Sequence, residues 1–184
     1  TIPPNGWGYI KDWSSFYTKT SYDLIDMLMH AVSMDGNLVI NFGPDGNGRM
    51  HSGEDKLAKE IGDWMKLNSE AVYGATHAPL EPTGYGYYTK KENALYLTVF
   101  NRPVNNLIRI KIPRAATEVP TAASLLANRA ALKMKFTDIG IDLDKNVYFD
   151  ITLPETFTSK DPFVIKIETR PGKIDVKELE KAHM

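Results

Sequence analysis

The spacing of apolar residues over the first 78 positions predicts two helices around one short, fully apolar strand. One stripe follows the N-cap candidates Thr20 and Ser21 at helical spacing and consists of Leu24, Ile25, Leu28, Met29 and Val32. A second stripe begins after the N-cap candidate Ser52 and consists of Leu57, Ile61, Trp64 and Met65. Between them, residues 38–40 are all apolar, which is typical of a strand buried on both faces. This order of helix, buried parallel strand, glycine-rich loop and helix predicts the closing elements of a (β/α)8 barrel.

From residue 79 onward the apolar positions alternate with period two, which indicates antiparallel strands. The predicted strands cover residues 85–88, 94–100, 107–112, 133–136, 147–151 and 164–168. Several short strands at near-regular spacing are typical of a β-sandwich. We therefore predict an α/β part over residues 1–78, an antiparallel β-sandwich over 79–172 and a charged, weakly helical tail over 173–184.

The composition of the chain excludes several classes of partner and of catalytic chemistry. The chain has 22 basic and 23 acidic residues, and this balance argues against a nucleic acid or an anionic membrane as the main partner. It contains no cysteine, which excludes disulfides, thiolate catalysis and cysteine metal sites. The first residue is Thr1 rather than Met, and we expect an internal start produced by truncation or proteolysis.

The histidines and the glycine-rich loop give no pattern of a metal or nucleotide site. The four histidines lack metal-ligand spacing, so we expect no metal and no cofactor; they are His30, His51, His77 and His183. We expect His30 to be a structural histidine with its polar groups satisfied, because it lies beside core positions of the first helix. The loop at residues 43–48 lacks the lysine and hydroxyl ending of a phosphate-binding loop, so we expect a tight turn there.

The acidic residues of the helical part form no evident catalytic pair, although a glycosidase needs two facing carboxylates. We expect structural or solvent-exposed roles for Asp45, Glu54, Asp55, Glu60, Asp63 and Glu70. Trp7, flanked by Gly6 and Gly8, has two open interpretations: a ring that stacks on a sugar, or a core side chain. Trp13 and Trp64 are expected to pack in the core or at its rim.

Three ordered blocks resemble glycoside hydrolase family 29, the α-L-fucosidases. They are Trp7-Gly8-Tyr9, residues 35–48 and residues 61–74. The chain departs from the family pattern at Gly6, Asp35 and Ser69, where the family has serine, glycine and glycine. The resemblance implies a retaining mechanism with an aspartate nucleophile and a glutamate acid/base, both upstream of the first block. It carries over one substrate contact, Trp7, which would pack against the apolar face of fucose.

The resemblance therefore implies the C-terminal portion of a retaining α-L-fucosidase that acts on terminal α-L-fucosyl groups of glycans. No catalytic residue is expected within this chain, and its partner would be the N-terminal part of the same enzyme. Asn41 ends the predicted strand, and we expect it near the site only because barrel active sites lie at the carboxyl ends of their strands. The family favours a periplasmic or secreted location, which the residues themselves do not identify.

Two other functions remain open from the sequence. One is a carbohydrate-binding or structural sandwich without activity, which an exposed patch of Tyr85, Tyr87, Tyr88 and Tyr96 would support. The other is a glycosidase of the same family with a different sugar preference, such as a galactosidase-like member.

Overall fold

The computed structural model describes residues 6–12, 18–137 and 145–182. Within these ranges the helices are α1 (Ser21–Ser33), α2 (Ser52–Asn68) and α3 (Val176–Ala182), and a 3₁₀ turn (Ser69–Ala71) follows α2. The strands are β1 (Thr76–His77), β2 (Gly86–Lys91), β3 (Ala94–Val99), β4 (Leu107–Pro113), β5 (Glu118–Leu125), β6 (Ala131–Thr137), β7 (Asn146–Thr152) and β8 (Phe163–Pro171).

The strands form one antiparallel sheet that curls into a half-barrel. Their order is β1-β2-β3-β8-β5-β6-β7-β4, so β8, the last strand along the chain, lies between β3 and β5. The apolar residues of the inner face come from both ends of the sheet and share one core, which includes Leu97, Val99, Ile110, Phe149, Ile151 and Ile165. Alternation along strands such as β4 and β7 produces this inner face directly.

The helical part of the chain covers the outer face of the sheet around β3 and β8. All six residues of β3 are buried, because Ile25 and Met29 of α1 and Trp64 of α2 pack over this side of the sheet. On the sheet side, these helices contact Ala94, Tyr96 and Val164. A strand buried on both faces thus joins the two halves of the chain.

The predicted strands agree with the structure in six cases, and β5 is the main omission. This strand contains Pro120 and several small residues, and its register with β8 shifts between Pro120 and Ala122. A proline and a bulge both weaken the alternating pattern by which strands are recognised. The predicted tail contains α3, whose Leu179 is 5% exposed and belongs to the main core.

Residues 38–40 are not a strand in this chain, which corrects the prediction. The segment lies outside the sheet of the described residues, and Val39 is 88% exposed. Ile40 and Phe42 instead pack on Leu24 of α1 and Leu57 of α2. One side of the segment therefore rests on the helices, and the hydrogen-bonding neighbours that a parallel strand requires are absent from the described part of the chain.

The cap of α1 is one of the two predicted candidates, and only the cap of α2 differs from the prediction, by one residue. Thr20 caps α1 with a full capping box, in which Thr20 and Asp23 exchange side-chain and backbone hydrogen bonds. The cap of α2 is His51 rather than Ser52, since His51 Nδ1 accepts a hydrogen bond of 3.1 Å from the Gly53 amide. None of the helices in the described ranges has the length and apolar character needed to cross a bilayer.

Candidate functional site

Trp7 projects into solvent from a short segment that is fixed through its backbone. Its side chain is 81% exposed, which is unusual for a tryptophan. Its carbonyl oxygen accepts a hydrogen bond of 2.9 Å from Nδ2 of Asn41. The structure thus brings together Trp7 and Asn41, the two residues that the sequence placed near a sugar site.

The backbone of Gly43 touches the Trp7 segment directly. A Cβ atom on Gly43 would lie 2.4 Å from the carbonyl oxygen of Gly8 and 2.8 Å from the amide nitrogen of Tyr9. Such distances are far inside van der Waals contact, so glycine is required here by close backbone approach. Residues 41–43 and residues 7–9 therefore form one packed unit, which we call the Trp7 platform.

Glu54 lies beneath this platform. It is 2% exposed at the start of α2, so of the two roles predicted for it, structural or solvent-exposed, the structural one applies. Its two carboxylate oxygens lie 3.2 and 3.3 Å from the amide nitrogen of Gly43, which donates to them. Periodicity could not reveal this contact, because it depends on the loop between residues 43 and 52 folding back over the first turn of the helix.

The loop after the platform is a tight turn. The carboxylate of Asp45 accepts hydrogen bonds from the amides of Asn47 and Arg49, at 2.8 and 2.9 Å, and Gly48 has a φ of +78°. Hydrogen bonds from the Arg49 and Asn47 amides lower the pKa of Asp45. These amides point at the chain's own carboxylate, which agrees with the turn predicted from the sequence.

Glu70 joins the helical part to the sheet. Its carboxylate accepts hydrogen bonds from the Tyr96 hydroxyl at 2.8 Å and from Arg129 and Lys166 at 2.6 Å each. Partial burial acts to raise the pKa of Glu70, but hydrogen bonds from these three partners outweigh it and lower the pKa to about 2. A carboxylate held this firmly in its ionised form is a structural group, not a general acid at neutral pH.

The histidines of the described residues have separate local partners. His30 is exposed, and its ring stacks on Tyr87 with centroids 5.4 Å apart, so it packs at the surface of α1. His77 Nδ1 lies 2.9 Å from the carbonyl oxygen of Ser33. His183 lies outside the described residues. Across those residues, no cluster of three or more histidine, aspartate or glutamate side chains could hold a metal ion.

The four tyrosines of the sheet do not form an exposed patch. Tyr88 and Tyr96 are 8% and 2% exposed, Tyr85 packs against the main core, and Tyr87 lies between His30 and Phe100. The feature that would favour a separate carbohydrate-binding sandwich is therefore missing among these residues. Trp64 is also buried, and its indole nitrogen donates a hydrogen bond of 2.7 Å to the carbonyl of Pro162. Trp13 lies outside the described residues.

The other acidic residues of α2 are on the solvent side, as predicted. Asp63 pairs with Lys59 and Lys66 at 3.0 and 2.7 Å, and Asp55 is exposed. Glu60 lies 3.8 Å from Lys56. These surface pairs within one helix are ordinary features of a solvated face.

Comparison with known proteins finds α-L-fucosidases. The family model for α-L-fucosidase matches residues 1–70. The human tissue α-L-fucosidase is 26% identical over 158 residues, which are 84% of this chain and 32% of that protein. The human plasma α-L-fucosidase is 29% identical over 128 residues, which cover 65% of this chain and 27% of that protein.

Solved structures agree with this result. A bacterial fucosidase in complex with an iminocyclitol inhibitor has a TM-score of 0.81 and 35% identity, over 93% of this chain and 37% of that one. A family 29 α-L-fucosidase from Bacteroides thetaiotaomicron, trapped as a covalent intermediate, has a TM-score of 0.80 and 35% identity, over 92% of this chain and 37% of that one. These matches are all to α-L-fucosidases, and the Bacteroides thetaiotaomicron enzyme belongs to glycoside hydrolase family 29. The chain spans about a third of the length of the curated relatives.

Proposed function

We propose that this chain is the C-terminal portion of a retaining α-L-fucosidase, which hydrolyses terminal α-L-fucosyl linkages in glycans. Residues 1–78 would close the catalytic (β/α)8 barrel, and residues 79–172 would form its sandwich-like companion. The nucleophile and the acid/base would come from the part of the enzyme that precedes Trp7. The substrate would be a fucosylated oligosaccharide or glycoconjugate.

The observation that carries the proposal is the exposed indole of Trp7 on a fixed backbone. Its carbonyl is held by Asn41, and Gly43 supports the following residues from beneath. A flat apolar ring held in this way fits the apolar face of a sugar, with the C–H bonds directed at the π-system. Fucose carries a methyl group that adds to such an apolar face.

The bare side of residues 38–42 supports the barrel assignment. Ile40 and Phe42 face the two helices, as in the outer layer of a barrel, while Val39 points away from them and is 88% exposed. We infer that strands of the upstream part pair with this segment and cover Val39. The segment would then end at Asn41, at the rim where barrel enzymes bind their substrates.

The retaining mechanism is supported by one relative, the Bacteroides thetaiotaomicron enzyme that was trapped as a covalent intermediate with 2-fluoro-fucosyl fluoride. A covalent intermediate requires a carboxylate nucleophile and a second carboxyl group that protonates the leaving oxygen. In this chain Glu70 is neutralised by cationic partners and Glu54 is occupied by Gly43. We therefore assign neither Glu70 nor Glu54 as the nucleophile or the acid/base.

Complementation tests the proposal. The purified chain should not hydrolyse an aryl α-L-fucoside above background, and mixing it with the upstream part of the enzyme should restore turnover. A mixture made with Trp7→Ala is the matched variant, and it should bind the fucoside more weakly. An aryl galactoside in a parallel assay tests the galactosidase-like alternative. Robust turnover by the chain alone would contradict the proposal, and Glu54 and Glu70 would then be the first residues to mutate.

A further inference from the structure

The Trp7 platform is held from below by a buried carboxylate. Glu54 is 2% exposed, and both of its oxygens accept the hydrogen of the Gly43 amide. Taking a carboxylate out of water is unfavourable unless hydrogen bonds compensate for the lost hydration. An apolar side chain of similar length would fill the same volume but would take away this acceptor of the Gly43 N–H. The carboxylate adds one property that an apolar group lacks, which is a fixed direction for the Gly43 N–H.

The backbone of Gly43 is tightly packed, so the orientation of its amide affects the neighbouring segment. Its α-carbon faces the Gly8 carbonyl so closely that even a Cβ would lie 2.4 Å from the oxygen. On the other side, Phe42 packs against the buried pair Leu24 and Leu57. A rotation of the 42–43 peptide would therefore push against the backbone of residues 8 and 9, next to Trp7.

We propose that Glu54 is a positioning residue for substrate binding: it fixes the Gly43 amide, and through Gly43 and Asn41 it holds the indole of Trp7 at the sugar site. Glu54 does not touch the sugar itself. The role rests on the proposed function, in which Trp7 contacts fucose. It assigns the second helix of the chain a part in substrate affinity, although α2 carries no substrate contact.

The first test measures positioning in the chain itself, without any substrate. Exchange of the Gly43 amide hydrogen is followed by nuclear magnetic resonance after isotopic labelling of glycine. Glu54→Met removes the acceptor while keeping the volume, and it should accelerate exchange at Gly43 by about tenfold or more, because the hydrogen bond that protects this amide is lost. Asp55→Asn changes an exposed carboxylate in the same helical turn and should leave exchange unchanged. Equal exchange in the parent and Glu54→Met would overturn the proposal.

The second test measures affinity in the enzyme reconstituted with its upstream part. Glu54→Met should raise KM for an aryl α-L-fucoside about tenfold with kcat within about twofold, because Trp7 contacts the sugar in the ground state and the transition state alike. Glu54→Gln, which retains one acceptor oxygen, should raise KM only about threefold. Asp55→Asn should have no effect on either constant.

The combination with Trp7→Ala separates positioning from stability. If Glu54 acts through Trp7, Glu54→Met should add nothing to KM once the indole is absent. A full additional rise in the double variant, or a lower melting temperature with unchanged KM, would overturn the proposal. Should Glu54→Met not fold, Glu54→Gln takes its place: a KM increase that disappears in the Trp7→Ala background supports the role, and an unchanged KM contradicts it. If Trp7→Ala alone leaves KM unchanged, the sugar assignment fails, while the exchange test still decides whether Glu54 orders Gly43.

Discussion

At the residue scale, Glu70 links the end of α2 to the sheet through a tyrosine and two cations. Its side chain is 29% exposed and that of Lys166 is 20% exposed, so solvent screens this pair only in part. The pKa of Glu70 is lowered from 4.5 to about 2. A lowered carboxyl pKa adds stability above the unfolded-state value, and that stability is lost as the pH falls through the folded-state value.

Glu70→Gln should therefore lower the free energy of unfolding at pH 7 by about 1–3 kcal/mol, because it leaves Lys166 without its anionic partner. The difference from the parent should shrink as the pH is lowered from about 4.5 to about 2, the window set by the pKa of Glu70. Denaturant titrations at several pH values measure this. Glu81→Gln, which removes an exposed partner of Lys111, is the control and should change stability by less than about 1 kcal/mol. A pH-independent difference would contradict the assignment.

Trp7→Ala should weaken binding of a fucosyl substrate to the reconstituted enzyme by about 1–3 kcal/mol, the scale of a lost aromatic contact. The melting temperature should stay unchanged, because the indole is 81% exposed and supports no core. Trp7→Phe should retain part of the affinity. Steady-state kinetics and a thermal scan measure the two effects. Unchanged kinetics with reduced thermal stability would mean that Trp7 only packs against the upstream part.

The sequence could single out Trp7 but not Glu54. Trp7 lies between two glycines and within a block that resembles the family pattern, so the sequence offered a sugar contact as one of two interpretations. The burial of Glu54 arises from a loop that returns over the helix, and Glu54 has the same local features as the exposed Asp55. When two carboxylates lie in the same helical turn, only tertiary contacts determine which of them is buried.

At the scale of elements, the glycine at position 43 determines how two segments dock. Gly43→Ala should displace residues 7–9, since the added Cβ would overlap the Gly8 carbonyl. We expect the reconstituted enzyme to lose at least about tenfold in affinity for an aryl fucoside, because overpacking on this scale shifts the backbone. Gly46→Ala, in the same loop but with no atom within 4 Å of the new Cβ, is the matched control. Equal kinetics for the two variants would show that the platform tolerates displacement.

The periodicity of apolar residues was sufficient to predict the helices and strands whose packing partners lie within the chain. Strands such as β4 alternate cleanly because one face meets the core, and both long helices carry apolar stripes that pack on the sheet or on each other. The pattern failed for β5, where a proline and a bulge interrupt the alternation. It also predicted a strand at residues 38–40, whose apolar character on both faces is explained if its neighbours belong to the upstream part.

At the scale of the whole molecule, the helices and the sheet should unfold as one unit. They share β3, which is buried on both faces, and Trp64 bonds to Pro162 across the boundary. The indole N–H resonance of Trp64 reports the helical part, and far-ultraviolet circular dichroism at the strand wavelength reports the sheet. Both should show the same midpoint in urea.

Val164→Ala, at the point where β8 meets the helices, should lower both midpoints together by removing shared apolar contacts. A surface variant such as Val104→Ala, at a fully exposed position, should shift neither. Loss of the Trp64 signal at a lower urea concentration than the sheet signal would show that the two parts are independently stable.

The position of β8 at the centre of the sheet has a consequence for synthesis on the ribosome. β3 begins at Ala94 and β8 ends at Pro171, so at about 5–20 residues per second the ribosome takes roughly 4–15 s to make the intervening chain. During that interval β3 has emerged without the strand that pairs with its second edge. An apolar strand with an open edge is a template for pairing with other nascent chains. We therefore expect slow codons between β3 and β8 to reduce the soluble yield of the protein, because they lengthen this interval.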